Sequence, residues 1–248
     1  MTTGRTYTAP SLYLDVLRQA HTLVGGQTGS GKSVFLNGLI TTALKQGGNQ
    51  LIFVDPKQME LWKYHDLPNC VAYAETPEQT VRALARAIDV MEQRNRECKN
   101  RGLKLYDGEP LYIFIDELAD LLISAEGRMI KQQLQKLTAL GRAARCVVIA
   151  CTQQPSRKML PCELSLNFPS RVALHCQTAI ESRQIINVKG AEALPMYGEC
   201  LYLRPSHDLE KWRVPLTDEA ETDQVIADIM GDFKQPDKGL GKLLKLIV

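Results

Sequence analysis

Short apolar runs alternate along the chain with longer stretches whose apolar positions recur every three to four residues. The runs at 21–24, 50–54, 70–73, 111–115 and 146–151 have the length of buried strands, and each is followed by polar or glycine-rich residues. Val34, Phe35, Leu39, Ala43 and Leu44 predict a helix that Gly47 and Gly48 stop. Val81, Leu84, Ile88, Met91, Asn95 and Cys98 predict a second, with Arg82, Arg86, Arg94, Arg96, Lys99 and Arg101 on its other faces, either solvated or meeting a subunit or phosphate. Thr76, Pro77 and Gln79 open that helix as a capping box with proline at its first position, and Gly102 closes it. A short helix is expected around Leu61, Trp62 and Tyr64, another from Leu118 to Leu122, and a longer one over 127–140.

Residues 155–169 contain three prolines and read as a mobile loop. Beyond them the pattern predicts a strand over 171–175, a helix over 179–187, strands over 200–203 and 211–214, and a polar helix over 217–231. Strands alternating with helices imply an α/β fold, a mostly parallel central sheet with helices on both faces. Residues 1–20 read as a lead-in, 21–216 as one domain, and 217–248 as a C-terminal helix with a basic and apolar tail.

Composition changes this picture little. Of 248 residues, 23% are charged and 44% hydrophobic, which excludes general disorder. A net charge of +2 means that any nucleic-acid surface must come from local clusters. The seven cysteines, at 70, 98, 146, 151, 162, 176 and 200, form no C-x-x-C pair, so reduced thiols in a cytoplasmic protein are expected. No run has the length of a membrane span and the N-terminus lacks a signal-peptide pattern, so a membrane role would require a partner or a missing segment.

The chemistry concentrates after the first strand. Residues 26–33 read Gly-Gln-Thr-Gly-Ser-Gly-Lys-Ser, a G-x-x-x-x-G-K-S phosphate loop between a strand and a helix. Gly26, Gly29 and Gly31 permit φ > 0, so that backbone N–H groups turn toward phosphate oxygens. Gly26, Gln27, Thr28, Gly29, Ser30, Gly31, Lys32, Ser33 and Val34 are therefore the candidate nucleotide contacts. Lys32 sets an ammonium against the β/γ-phosphates, and the Ser33 hydroxyl can ligate Mg²⁺. Asp116, after five apolar residues, is the second candidate Mg²⁺ ligand, and Glu117 beside it can polarise an attacking water. Gln153, at the end of the next strand, can orient that water or sense the γ-phosphate. The expected cofactors are ATP and Mg²⁺.

These residues belong to a wider set. The chain contains Phe-Val-Asp-Pro-Lys (53–57), Met-Glu-Gln-Arg (91–94), Ile-Asp-Glu-Leu-Ala-Asp-Leu (115–121), Gly-Arg-Ala-Ala-Arg (141–145) and Ala-Cys-Thr-Gln-Gln-Pro-Ser (150–156). Pro-Ser-Arg-Val-Ala (169–173), Glu-Ser-Arg-Gln-Ile-Ile (181–186) and Gly-Glu-Cys-Leu-Tyr (198–202) follow in order. With the phosphate loop, they resemble the motor domain of the FtsK/SpoIIIE family of DNA translocases. The resemblance implies a RecA-like P-loop fold, with an extra strand between the loop and the Asp116 strand. It also implies a hexameric ring that threads double-stranded DNA, in segregation, conjugative transfer or genome packaging. Arg142 then matches an arginine that would act on a neighbouring subunit's ATP, with Arg94 and Arg183 as competitors. A membrane-bound, recombinase or relaxase partner protein is compatible with such a motor.

Two local departures stand out. The family commonly carries arginine at the position of Gln154 and glycine at that of Arg145. The chain is also short between Met91 and Asp116, and it lacks a membrane-spanning region and a winged-helix module. It resembles a minimal motor of plasmids, phages or integrative elements, or an excised fragment of a larger one, and of the two Met1 favours a whole protein. The alternative is a secretion-system coupling ATPase acting on a protein substrate.

Overall fold

The computed structural model describes residues 10–153 and 162–234. Among them the strands are β1 (His21–Gly25), β2 (Gln50–Val54), β3 (Cys70–Ala74), β4 (Leu111–Ile115), β5 (Cys146–Thr152), β6 (Ser170–Ala173), β7 (Glu199–Leu203) and β8 (Leu209–Arg213). They form one sheet in the order β3-β2-β4-β5-β1-β6-β7-β8. The first six strands are parallel, and β7 and β8 extend the sheet antiparallel past β6. β5 pairs with both β1 and β4 and so lies between them, the extra strand that the RecA-like layout calls for.

The helices are α1 (Pro10–Arg18), α2 (Lys32–Gln46), α3 (Pro77–Arg101), α4 (Leu118–Ile123), α5 (Gly127–Leu140), α6 (Cys162–Ser165), α7 (Ala179–Ile186) and α8 (Glu219–Lys234). Short 3-10 turns occupy Trp62–Tyr64 and Ala191–Ala193.

Alternating side chains on the central strands fill two cores, as the pleat requires. Leu51, Phe53, Tyr112, Phe114, Val147 and Ile149 pack with α1 and α2, and side chains of α8 join them. Ile52, Val54, Ile113, Ile115, Val148 and Ala150 pack on the opposite face with α3, α4 and α5. Both faces of the central parallel strands β1, β2, β4 and β5 are therefore dry, which explains why those strands read as continuous apolar runs.

Three sequence expectations change. The segment read as a lead-in contains α1, whose Leu12, Tyr13, Val16 and Leu17 are buried; the Tyr13 ring lies edge-on to Phe35, and its hydroxyl donates to Pro215 O. Within 155–169, the described residues include α6, and Leu164 and Phe168 are fully buried, so that part is core rather than mobile loop. On α3 the buried face runs through Ala83, Leu84, Ala87, Met91, Arg94 and Cys98. The stripe keeps the spacing of three and four but in the alternate phase, through 84, 87, 91, 94 and 98, so Arg94 takes the inward place that the sequence pattern gave to Asn95. Gln154, residues 155–161 and the tail from 235 onward lie outside the described residues.

Candidate active site

β1 ends in the phosphate loop, and α2 begins at Lys32 with its N-terminus toward the loop. Gly29 and Gly31 have φ of +79° and +91°, as the sequence predicts, and Gly31 caps α2 in the left-handed region. Gly26 does not have a positive φ. It is constrained by crowding instead, because a Cβ there would lie 2.6 Å from Ser30 Oγ and 2.9 Å from Leu174 Cβ. The loop is tied to the chain after β6: Gln27 N donates to His175 O at 3.0 Å, and the Gln27 amide donates to Met196 Sδ at 3.0 Å. Ser30 and Lys32 are buried, Ser33 and Val34 are half-buried, and Thr28 is exposed.

The carboxyl ends of β4 and β5 bring the other predicted groups to this loop. Asp116 and Glu117 directly follow β4 and are both buried. Burial, then the charges of Asp55 and Glu60, push the Asp116 carboxyl up to about 6, against the pull of the Lys32 ammonium. Glu117 caps α4 through Ala119 N, and both its carboxylate oxygens accept from Gln153 N at 3.1–3.2 Å. The Gln153 side-chain oxygen accepts from Thr28 Oγ1 at 2.8 Å. Gln153 thus joins the phosphate loop to the glutamate, which neither strand does alone.

Three residues that the sequence reading left without a role stand at this site, all from the turn after β2. Lys57 Nζ lies 3.3 Å from Glu117 Oε2 and 3.8 Å from Asp120 Oδ2. Glu60 Oε1 accepts from Ser33 Oγ at 2.6 Å, and Asp55 is fully buried beneath it. Their signal was an acid at the end of a buried strand, in Asp55-Pro56-Lys57, but nothing in the linear pattern showed where that turn folds.

The donor set suits Mg²⁺. Hydroxyl and carboxylate oxygens are hard ligands, and negative charge exceeds positive around Asp116. Among the described residues no three His, Cys, Asp or Glu side chains could hold a metal ion by themselves. That agrees with an ion held by one or two protein oxygens together with substrate phosphates and water. Ser33 and Asp116 are the residues that would hold it.

The candidate arginines sit in different settings. Arg142 is exposed in the turn before β5, at the amino ends of the parallel strands and so opposite the phosphate loop, beside a cavity of about 1010 Å³ that Arg18, Asp107, Glu109 and Arg145 also line. Arg183 is exposed on α7. Arg94 is buried, donates to Ala144 O and Gln50 Oε1, each at 3.2 Å, and stacks over the Tyr106 ring. Arg145, where the family commonly has glycine, has φ of +51°, a conformation in which glycine is unstrained.

Comparison with known proteins places these features. Residues 4–110 match the FtsK/SpoIIIE family model. The DNA translocase FtsK of Leptospira interrogans is 33% identical over 247 residues, covering 91% of this chain and 26% of that protein. The DNA translocase FtsK of Rhizobium meliloti is 29% identical over 273 residues, covering 92% of this chain and 31% of the relative. The chain therefore spans about a quarter to a third of the length of these curated relatives. Among solved structures, the pCW3 conjugation coupling protein TcpA, a monomer form with ATPγS, superposes with a TM-score of 0.75 at 22% identity, covering 85% of this chain and 65% of that one. The cytoplasmic domain of the Type VII secretion ATPase EccC of Thermomonospora curvata gives 0.67 at 21%, covering 86% and 28%. The chain thus matches the FtsK/SpoIIIE family, by its model over residues 4–110 and by its relatives over about nine-tenths of its length, on a RecA-like α/β fold.

Proposed function

We propose that this chain is a Mg²⁺-dependent ATPase that couples hydrolysis to movement along double-stranded DNA, working as a ring of like subunits in the cytoplasm. The observation that carries the reading is the convergence of Lys32, Asp116, Glu117 and Gln153 at the ends of three strands. The loop's N–H groups and Lys32 bind the phosphates, and α2 adds the positive end of its dipole. When bound, Mg²⁺ supplies neutralising charge to the β- and γ-phosphate oxygens. Glu117 takes the proton of the attacking water, with its carboxylate aimed by Gln153 N. Gln153 reads the phosphate state through Thr28. An arginine from a neighbour completes the charge stabilisation, and Arg142 and Arg183, both exposed, suit that part better than the fully engaged Arg94.

DNA is the substrate favoured by the family and by the relatives, which are named DNA translocases. The deciding measurement is ATPase rate with and without linear duplex DNA. The wild type should be stimulated, Lys32→Ala should be inactive, and Glu117→Gln should bind ATP but turn it over about 10²–10⁴-fold more slowly. A rate that no form of DNA alters overturns the translocase reading, and capture of a protein substrate without DNA binding would replace it with the secretion-type one.

A further inference from the structure

The Ser33 hydroxyl has one proton and two lone pairs, and it can serve a cation only if the proton points elsewhere. In this fold the proton is committed: Ser33 Oγ donates to Glu60 Oε1 at 2.6 Å, across 27 residues of sequence. We propose that Glu60 is a positioning residue for the bound metal ion, acting through the Ser33 hydroxyl, and that Asp55 holds Glu60 in place. The proposal rests on reading the loop as a Mg²⁺–nucleotide site.

The turn after β2 is built to present this carboxylate. Gln58 has φ of +55°, and its N–H returns to Asp55 O at 3.0 Å, curling the chain back after Pro56. Asp55 Oδ2 then accepts from Glu60 N at 3.1 Å and from Leu61 N at 2.8 Å. The fully buried Leu61 side chain pins the far end of the turn in the core. Asp55 itself is completely buried, and its other oxygen, Oδ1, has no hydrogen-bond partner. A buried carboxylate with a bare oxygen is costly unless positive charge is close by, and the ion at Ser33 and Asp116 would provide it.

The chemistry follows the general rule for metal ligands. A ligand whose proton is taken up by a second carboxylate is held in one orientation and becomes more basic, and loss of such a partner typically weakens metal binding by about 10–100-fold. Without Glu60 the Ser33 hydroxyl is free to rotate and turn its proton toward the cation. Glu60 does not replace Asp116 as ligand; it makes Ser33 a better one.

The test uses the whole chain with a non-hydrolysable ATP analogue, and Mn²⁺ as the probe, with bound ion counted by electron paramagnetic resonance. Glu60→Ala should raise the Mn²⁺ concentration for half-saturation at least tenfold, and Glu60→Gln, which keeps an acceptor oxygen without the charge, should fall between it and wild type. Binding of the analogue in EDTA and the thermal midpoint should match wild type in both variants. Wild-type Mn²⁺ affinity in Glu60→Ala overturns the proposal. So does an equal loss of analogue binding in EDTA, which would make Glu60 a support for the loop's fold. If the wild type binds neither analogue nor Mn²⁺, the reading of the site falls first and the proposal with it.

Discussion

His21 opens β1 almost completely buried, and its Nδ1 accepts the Val148 N–H at 3.1 Å. Burial lowers its pKa from 6.5 to about 4, so the folded chain keeps it neutral where the unfolded chain takes up a proton. Because the unfolded state binds more protons between those values, stability is complete above pH 6.5 and falls as pH drops toward 4, by about 3 kcal/mol if the full shift is expressed. Urea unfolding at several pH values between 7.5 and 4.5 should show this slope, and His21→Gln, whose carboxamide can still accept from Val148, should flatten it. At this scale the site was legible where chemistry demands contiguous residues. The glycines, lysine and serine of the loop stand side by side because one phosphate chain needs them together. Lys57 and Glu60 escaped because they meet Glu117 and Ser33 across 60 and 27 residues, and a single turn carries no periodicity. Arg145 is the reverse case. A departure from the family's glycine became meaningful only once its positive φ was seen.

α3 shows what an element can reveal and conceal. Its ends were readable from local rules: the Thr76 capping box forms, with Gln79 N donating to Thr76 Oγ1 and the Gln79 side chain accepting from Thr76 N, and Gly102 ends the helix at φ of +66°. Its rotation was not, because an arginine is assigned to solvent by type whereas the fold offered this one two acceptors and an aromatic face. Arg94→Ala should therefore destabilise the chain by about 3 kcal/mol, through the unpaired Ala144 carbonyl and Gln50 amide oxygen. Urea unfolding would measure the loss, and nucleotide titration of the folded fraction should be unchanged. α7 is held to β1 more tightly than its short length suggests: a Cβ on Gly25 would lie 2.3 Å from Ile185 Cδ1, so the helix after β6 rests on the root of the phosphate loop.

For the molecule as a whole, the parallel pairing of β1 with β5 puts the phosphate loop at the carboxyl ends of the strands and Arg142, just before β5, at their amino ends. A single subunit cannot bring the two together, which is the arrangement a ring of head-to-tail contacts would use. Lys32→Ala and Arg142→Ala should each be inactive alone. Mixed, they should regain part of the ATPase rate, because a junction pairing the intact loop of one subunit with the intact arginine of the other is complete. No recovery on mixing would remove Arg142 from the neighbour's site and leave Arg183 to be tested in the same way. The α/β class and the parallel centre were legible from apolar runs and helix spacing. The antiparallel turn at β7 and β8 was not, because strand direction depends on where the chain re-enters the sheet rather than on any residue in it.

The helix behind the phosphate loop is covered from both ends of the chain. α1 lies on α2 from before the loop, while Thr222 of α8 bonds Thr41 of α2 across 181 residues, and the Tyr13 hydroxyl bonds Pro215 O across 202. During synthesis at about 5–20 residues per second, α2 therefore emerges roughly 9–36 s before α8 exists to cover it. Throughout that interval the strand, loop and helix that read most clearly in the sequence have one flank bare. The nucleotide loop is thus made well before the helix that supports it is enclosed.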